Sequence, residues 1–145
     1  MSEPVQNYRN HAKLVPLFHF VAFPILLANF VWVVRAAIKA PGASTMLAAA
    51  TALALVATLF FARVFALKAQ DRVIRLEERM RMREILPAEL QPRIGDFTTN
   101  QLIALRFASD AELPGLAQTV LKDGITEQKQ IKLMIKDWKA DHQRV

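Results

Sequence analysis

Apolar residues concentrate in the first half of the chain, and charged residues dominate the second half. Between Lys13 and Arg35 the chain reads LVPLFHFVAFPILLANFVWVV, without a formal charge. After Gly42 it reads ASTMLAAATALALVATLFF, and the next charge is Arg63. About 20 residues of helix, at ~1.5 Å rise each, cross a hydrocarbon core of ~30 Å. Each run is therefore long enough to span a bilayer.

The connection between the two runs is short and contains the turn signal Ala40-Pro41-Gly42. A connection of about eight residues predicts antiparallel neighbours. We therefore predict a two-span transmembrane helical hairpin over 14–67, with spans of about 14–35 and 43–66. A cleaved signal peptide fits less well, because its apolar core is usually only ~7–15 residues. Two buried core helices of a soluble protein would leave too little chain to cover them.

Basic residues near the span ends predict the orientation. The connection holds only Arg35 and Lys39, whereas six basic residues follow the second span: Lys68, Arg72, Arg75, Arg79, Arg81 and Arg83. The tail is therefore predicted to be cytoplasmic, and two spans return the N-terminal segment, 1–13, to the same side. The predicted location is the bacterial cytoplasmic (inner) membrane, as a multi-pass protein with both termini cytoplasmic.

Small residues repeat at four-residue spacing on the second span and predict close helix packing. Small side chains let two backbones approach each other in lipid. The residues concerned are Ala48, Ala50, Ala52 and Ala54. On the first span, Pro24 is interior and predicts a kink.

Three polar residues inside the predicted spans, His19, Asn29 and Arg63, need an explanation, because polar groups are costly in a membrane. His19 could be a haem ligand or a proton-relay group. Its structural alternative is a neutral imidazole bonded to Arg63, to lipid headgroups or to the carbonyl freed by Pro24. Arg63 is expected to reach the headgroups, and Asn29 to bond with Thr51 across the hairpin.

The second span is predicted to continue as a cytoplasmic helical extension over 68–86, since neither proline nor glycine occurs between Ala43 and Leu86. Basic residues share one face of this extension: Lys68, Arg72, Arg75, Arg79 and Arg83. An apolar stripe lies beside them: Val73, Leu76 and Met80. The basic face could contact anionic lipid or an acidic partner. It could instead be a solvated face that enforces topology, with Asp71–Arg75 and Glu77–Arg81 as ordinary intrahelical pairs.

Residues 87–97 contain two prolines and a glycine and are interpreted as a hinge or an ordered linker. The C-terminal helical module, 98–145, is predicted to form a small bundle of about three short helices. Two S/T-x-x-E/Q patterns predict capping boxes, at Thr98 with Gln101 and at Ser109 with Glu112. Gly124 is expected at a left-handed C-cap.

The last helix is expected to be capped by Thr126. Its apolar residues recur at helical spacing through residue 138: Ile131, Met134, Ile135 and Trp138. The whole chain is thus predicted to be all-α. A bundle this small has a marginal core, so it is expected to pack against the helical extension or a partner chain.

Composition removes several functional classes. The formal charge of +6 is explained by basic flanks beside apolar runs, so no nucleic acid partner is expected. Cysteine is absent, which excludes disulfides, thiolate metal sites and cysteine nucleophiles. No phosphate-binding loop, metalloprotease motif or serine elbow occurs, so we expect no catalytic residue, no metal site and no enzyme activity. No cofactor is expected, with haem as the alternative.

Two parts of the chain are similar to a family of uncharacterised bacterial two-span membrane proteins, a domain of unknown function. They are QNYRNHAKLVPLFHF near the start and FTTNQLIALRFASDAELPGLAQTVL with IKLMIKDWKADHQRV near the end. The stretches ALRFASDAELP and IKDWKADHQRV are the most specific. The resemblance implies a cytoplasmic membrane protein of bacterial origin and transfers no catalytic residue.

These observations predict a non-enzymatic membrane-anchored interaction protein, either a scaffold or an accessory subunit of a larger bacterial membrane complex. Its expected partners are membrane lipid and either another membrane protein or further copies of itself. One alternative is a haem-binding redox or sensory membrane protein that uses His19. Another is a regulator that responds to anionic lipid through the basic face.

Overall fold

A computed structural model describes residues 6–8, 10 and 14–141. Its regular secondary structure is helical throughout those ranges, in agreement with the all-α prediction. The chain divides into two compact units. We name Leu14–Leu67 the apolar unit, and Lys68–Arg144 together with Met1–Lys13 the C-terminal module.

The first helix begins with a π-helical segment, Leu17–Ala22, and continues as α1, Phe23–Lys39. Pro24 explains the π-helical start. A proline has no backbone N–H and its ring collides with the carbonyl four residues earlier. A wider turn moves the hydrogen bonds by one residue, and Phe23 N–H accordingly donates to the Phe18 carbonyl, five residues before it. The kink predicted at Pro24 thus takes the form of a change of helix type.

A second helix, α2, covers Ala43–Ile85 without a break, as the absence of proline and glycine predicts. Three residues separate it from α1. The Thr45 hydroxyl closes this connection by donating to the carbonyls of Ala40 and Gly42, both at 3.0 Å. The helices Leu17–Lys39 and Ala43–Ile85 are each long and apolar enough to cross a membrane, with windows of mean hydropathy 2.1.

The end of α2 is fixed by one side chain. Gln91 Nε2 donates to the carbonyls of Leu86 at 2.7 Å and Arg83 at 2.8 Å. Carbonyls in the last turn of a helix have no partner within it, so a side-chain donor stabilises the terminus. Gln91 also opens a 3₁₀ helix, Gln91–Asp96. The segment interpreted as a linker is therefore ordered, and it contributes buried side chains to the core: Leu90, Ile94 and Phe97.

Three short helices follow, as predicted: α3, Thr99–Leu105; α4, Leu113–Lys122; and α5, Gln128–Met134. The capping box at Thr98 and Gln101 is formed in full. Gly124 follows α4 with a φ of 62°, the left-handed conformation predicted for it.

Other predicted helix ends differ from the structure. Thr126 does not cap α5; the N-cap is Glu127, whose side chain makes no capping bond. The helix stops at Met134, so the helical spacing that extends to Trp138 is not continued as helix. Instead Trp138 forms an isolated antiparallel bridge with Ala108.

The core of the C-terminal module is built from all its elements. Residues from α2, the 3₁₀ helix, α3, α4 and α5 belong to one buried cluster. Its largest fully buried side chains are Phe107, Met82, Leu102, Leu105, Leu113, Ile131 and Val120. The expected packing of the short helices against the α2 extension is therefore observed within this module.

Candidate functional site: an exposed stripe of α2 and its buried opposite face

The C-terminal part of α2 has three faces of different chemistry. Consecutive residues of an α-helix are rotated by about 100°, so residues three, four and seven apart share a face. The face toward the module core carries Ile74, Glu78 and Met82, all buried. Almost opposite lies the apolar stripe, and on one side of that stripe lies the basic face.

The apolar stripe consists of Val73, Leu76 and Met80, which are 53%, 62% and 55% exposed. Ala69 precedes them at the same spacing and is also exposed. More than half of each of these three large side chains is therefore exposed. An exposed row of large apolar residues on a helix that buries its opposite face is typical of an interaction surface.

The predicted basic face is present on one side of α2. Lys68, Arg72, Arg75 and Arg83 are exposed, and Arg79 is half-buried. A shallow groove of about 240 Å³ lies here, lined by Lys68, Asp71, Arg72, Arg75 and Thr99. The carboxylate of Asp71 reduces the positive charge of this groove, so its chemistry is mixed.

Acidic residues line the other side of the apolar stripe. Glu77 and Glu84 are exposed there, and Arg72 and Arg79 occupy the corresponding positions on the basic side. The ion pairs found among the described residues involve none of these four side chains. The Nε atom of Arg79 is buried and has no hydrogen-bond partner within the part of the chain that the structure describes.

Arg81 joins the buried face of α2 to the loop after α3. Its Nε and Nη2 donate to Asp110 Oδ1 at 2.8 and 2.6 Å. Nη2 also donates to the Ala108 carbonyl at 2.6 Å, and Nη1 donates to Glu78 Oε2 at 3.2 Å. A guanidinium with this many partners holds one conformation, so Arg81 fixes the loop against the helix.

The two carboxylates that bind Arg81 are shifted in opposite directions. Burial raises the pKa of Glu78 above its ordinary value, although Arg81 opposes this effect. The hydrogen bond from Arg81, helped by its positive charge, lowers the pKa of Asp110. Burial thus outweighs the effect of Arg81 at Glu78, whereas Arg81 has the larger effect at the exposed Asp110.

A second cluster surrounds Phe107. The Arg106 guanidinium lies over the Phe107 ring, 4.5 Å from its centroid, and its Nε is 3.3 Å from Asp141 Oδ2. The Trp138 ring is 5.0 Å from that of Phe107, and Lys132 Nζ is 5.3 Å from the Phe107 centroid. The aromatic pair and its cations close one side of the core.

The segment after α5 is held by backbone pairing and by one carboxylate. Ser109 N–H donates to the Asp137 carbonyl at 3.0 Å, and Lys139 N–H to the Phe107 carbonyl at 2.8 Å. Glu112 accepts from the N–H groups of Lys136 at 3.0 Å and Asp137 at 2.9 Å.

Glu112 thus does not complete the predicted capping box, although the Ser109 hydroxyl does accept from Glu112 N–H at 3.3 Å. The stretches ALRFASDAELP and IKDWKADHQRV, singled out in the sequence, meet along this pairing. Described residues of both stretches belong to the buried core of the module.

Two polar residues of the predicted spans differ in their contacts: His19 bonds within its own segment, and Arg63 lies against the other apolar helix. His19 Nδ1 lies 2.9 Å from the Val15 carbonyl and 3.1 Å from Val15 N, so its partner is neither Arg63 nor the carbonyl freed by Pro24. Haem binding by His19 stays a prediction. The Arg63 guanidinium lies 5.9 Å from the centroid of the Phe18 ring.

The predicted bond between Asn29 and Thr51 is not formed in the described structure. Thr51 Oγ1 donates to the Leu47 carbonyl of its own helix at 2.9 Å, and Asn29 is exposed. Of the four alanines predicted to pack, Ala52 is buried, and three are exposed: Ala48, Ala50 and Ala54. Helix packing through them stays a prediction.

Sequence reasoning missed Arg81, Asp110 and Glu112 as organising residues. Spacing assigned Arg81 to a pair with Glu77 four residues earlier, whereas its partner Asp110 lies 29 residues away. Among the described residues, no group of three histidine or carboxylate side chains could hold a metal ion.

Comparison with known proteins places the chain in a family without an assigned activity. No curated protein and no solved structure matches it. One family model, described as a family of unknown function (DUF6526), matches residues 1–145. Because that match covers the whole length, the chain belongs to the DUF6526 family.

Proposed function

We propose that this protein is a non-enzymatic membrane-anchored interaction protein. In this proposal α1 and the apolar part of α2 form an antiparallel hairpin in the bacterial cytoplasmic membrane. The C-terminal module lies in the cytoplasm and binds a protein partner, as a scaffold or as an accessory subunit of a larger membrane complex.

The observation that carries the proposal is the exposure of the two apolar helices. In the most apolar 18-residue stretch of each helix, only 0% and 6% of the residues are buried, although mean hydropathy is 2.1 in both. Trp32, for example, is 76% exposed. A soluble monomer rarely exposes apolar patches larger than a few hundred Å². Lipid is the environment in which such helices are stable, because their backbone hydrogen bonds are satisfied internally.

Two further features support the hairpin and its orientation. The connection between Lys39 and Ala43 is only three residues long, and short connections favour antiparallel helices. The basic residues that follow the apolar part of α2 outnumber the two at the end of α1, Arg35 and Lys39, which favours a cytoplasmic module.

The interaction role is supported by the C-terminal module. It has a core of its own, yet its apolar stripe on α2 remains uncovered. A module that folds and still exposes large apolar side chains is suited to binding a partner.

The anchor is tested by washing membranes of a bacterial expression host with alkaline carbonate. We expect the full-length chain to stay in the pellet, and its release into the supernatant would overturn the anchor. Orientation is tested with single cysteines at Gly42 and Lys122, since the chain has none of its own. A membrane-impermeant maleimide applied outside spheroplasts should label Gly42→Cys and spare Lys122→Cys, and the reverse pattern would contradict the orientation.

The interaction role is tested by extracting the protein in mild detergent and measuring the protein mass of its complex by light scattering. A mass well above the 16.4 kDa of one chain is expected. A lone monomer whose module is fully folded would contradict the proposal.

A further inference from the structure

The apolar stripe and its charged borders are complementary to themselves. Along α2 the stripe residues Ala69, Val73, Leu76 and Met80 alternate at spacings of four, three and four. This is the seven-residue repeat with which two helices pack side by side. Neither proline nor glycine interrupts the helix here, and the opposite face is already anchored in the module core.

We propose that the partner on this stripe is a second copy of the same chain, packed in parallel through residues 69–84. The proposal rests on the membrane anchor for its orientation, because two copies inserted in the same direction present their α2 helices in parallel. It goes further by naming the surface, the partner and the register.

The charges beside the stripe support this register. In a parallel pair, the residue just before Val73 or Met80 in one chain faces the residue five places further along in the other chain. Arg72 is followed at that distance by Glu77, and Arg79 by Glu84. Both arginines lie on one border of the stripe and both glutamates on the other. A parallel dimer therefore forms four interchain pairs of opposite charge.

An antiparallel dimer would instead bring like borders together. The arginine border of one copy would then meet the arginine border of the other, and the glutamates likewise, which is destabilising. The same four side chains have no ion pair within the described part of one chain, so they are available for this contact. Charge complementarity thus selects the orientation that membrane insertion requires.

The first experiment uses single cysteines in the full-length protein in native membranes. Leu76→Cys lies in the stripe, where a parallel dimer places a residue against its own copy. Arg75→Cys is the matched control, since it is the adjacent residue, is also exposed and points about 100° away. Oxidation with copper phenanthroline should convert Leu76→Cys into a covalent dimer several-fold more completely than Arg75→Cys. Met80→Cys, one stripe position later, should behave like Leu76→Cys. Equal cross-linking at the control position, or none at either stripe position, would overturn the proposal.

The second experiment tests the charges in the Leu76→Cys background. Replacing Arg72 and Arg79 by glutamate makes both borders acidic and should abolish the cross-link. Adding Glu77→Arg and Glu84→Arg exchanges the two borders, restores opposite charges across the pair and should restore the cross-link. A misfolded variant would not be rescued by two further substitutions. Cross-linking that ignores the first pair of changes, or that the second pair does not restore, would contradict the register.

The carbonate wash of the same membranes separates this proposal from the anchor. If the chain is retained and Leu76→Cys does not cross-link, the dimer is wrong while the anchor stands. If the chain is released and still cross-links selectively, the anchor is wrong while the dimer stands.

Discussion

The apolar unit and the C-terminal module are both helical and both rich in large apolar side chains, but they use those side chains in opposite ways. Across the described apolar unit, Ala37 and Ala52 are the only buried residues. The module buries apolar side chains from every one of its elements in one core. Apolar side chains therefore form a buried core in the module, whereas in the described apolar unit most of them are exposed.

Replacing a phenylalanine by alanine in each region gives the largest contrast. Phe107 is fully buried, so Phe107→Ala should lower the free energy of unfolding of the module by about 3–5 kcal/mol. Phe65→Ala is the matched control in the apolar unit, where the ring is 62% exposed, and should leave that free energy unchanged. In a Trp32→Phe background, Trp138 is the sole tryptophan and its fluorescence reports urea unfolding of the module. Equal losses for both variants would remove the distinction between the regions.

Removing Arg81 should cause the second largest loss of stability. Arg81→Ala leaves Glu78 buried without its cation and frees the loop carbonyl of Ala108, so we expect a loss of about 2–3 kcal/mol. Its control is Arg93→Ala, because the Arg93 pair with Asp96 is exposed on both sides and should contribute less than about 0.5 kcal/mol. The same urea titration measures both, and a loss for Arg93→Ala as large as that for Arg81→Ala would contradict the central role of Arg81.

Removing the carboxylate of Glu112 should reduce stability less than removing Arg81. Glu112→Ala removes the acceptor for two backbone N–H groups at the end of α5, and we expect a loss of about 1–2 kcal/mol. Hydrogen exchange should quicken at Lys136 and Asp137 beyond the change caused by lower stability alone. Glu89→Ala replaces an exposed glutamate and is the control. Unchanged exchange at both amides would show that Glu112 does not hold this segment.

The smallest expected effect is the pH dependence due to Glu78. Its pKa is raised in the folded protein, so the folded state binds this proton more tightly than the unfolded chain does. The stabilisation is full below the ordinary pKa of about 4.5 and is lost as pH rises through the raised value. Glu78→Gln removes this titration, so its stability relative to wild type should increase as pH rises above about 4.5.

The pH dependence of stability due to Asp110 has the opposite sign. Its lowered pKa makes its contribution present above about 3.8 and lost as pH falls through the lower value. In Asp110→Asn the stability relative to wild type should therefore rise as pH falls below 3.8. A relative stability of Glu78→Gln that does not change with pH would contradict the effect of burial on that residue.

Local sequence signals predicted the elements of the fold well. Both apolar helices, the unbroken α2 and the capping box at Thr98 depend on residues within a few positions of each other, and all are present. The three short helices also followed from local periodicity and capping. Pro24 predicted a disturbance of the first helix but not its π-helical form, because the way a helix absorbs a proline depends on its neighbouring hydrogen bonds.

The candidate site was harder to predict from the sequence, because its contacts join residues far apart in the chain. Arg81 had a plausible partner in Glu77, and only the folded module brings Asp110 within reach. The helical spacing of Trp138 was misleading for the same reason. Glu112 accepts hydrogen bonds from backbone N–H groups after α5, and the bridge between Trp138 and Ala108 then holds this segment in an extended conformation. Long-range hydrogen bonds outweighed a local preference in both cases.

The unbroken course of α2 has a consequence for folding during synthesis. Helices of 7, 10 and 7 residues are too short to be stable alone, so α3, α4 and α5 need the face of α2 that carries Met82, which shares their core. That face leaves the ribosome well before Trp138 completes the core. In the newly made chain, α2 is therefore complete before the residues that cover this face have been synthesised. Resistance to protease should appear late and in a single step.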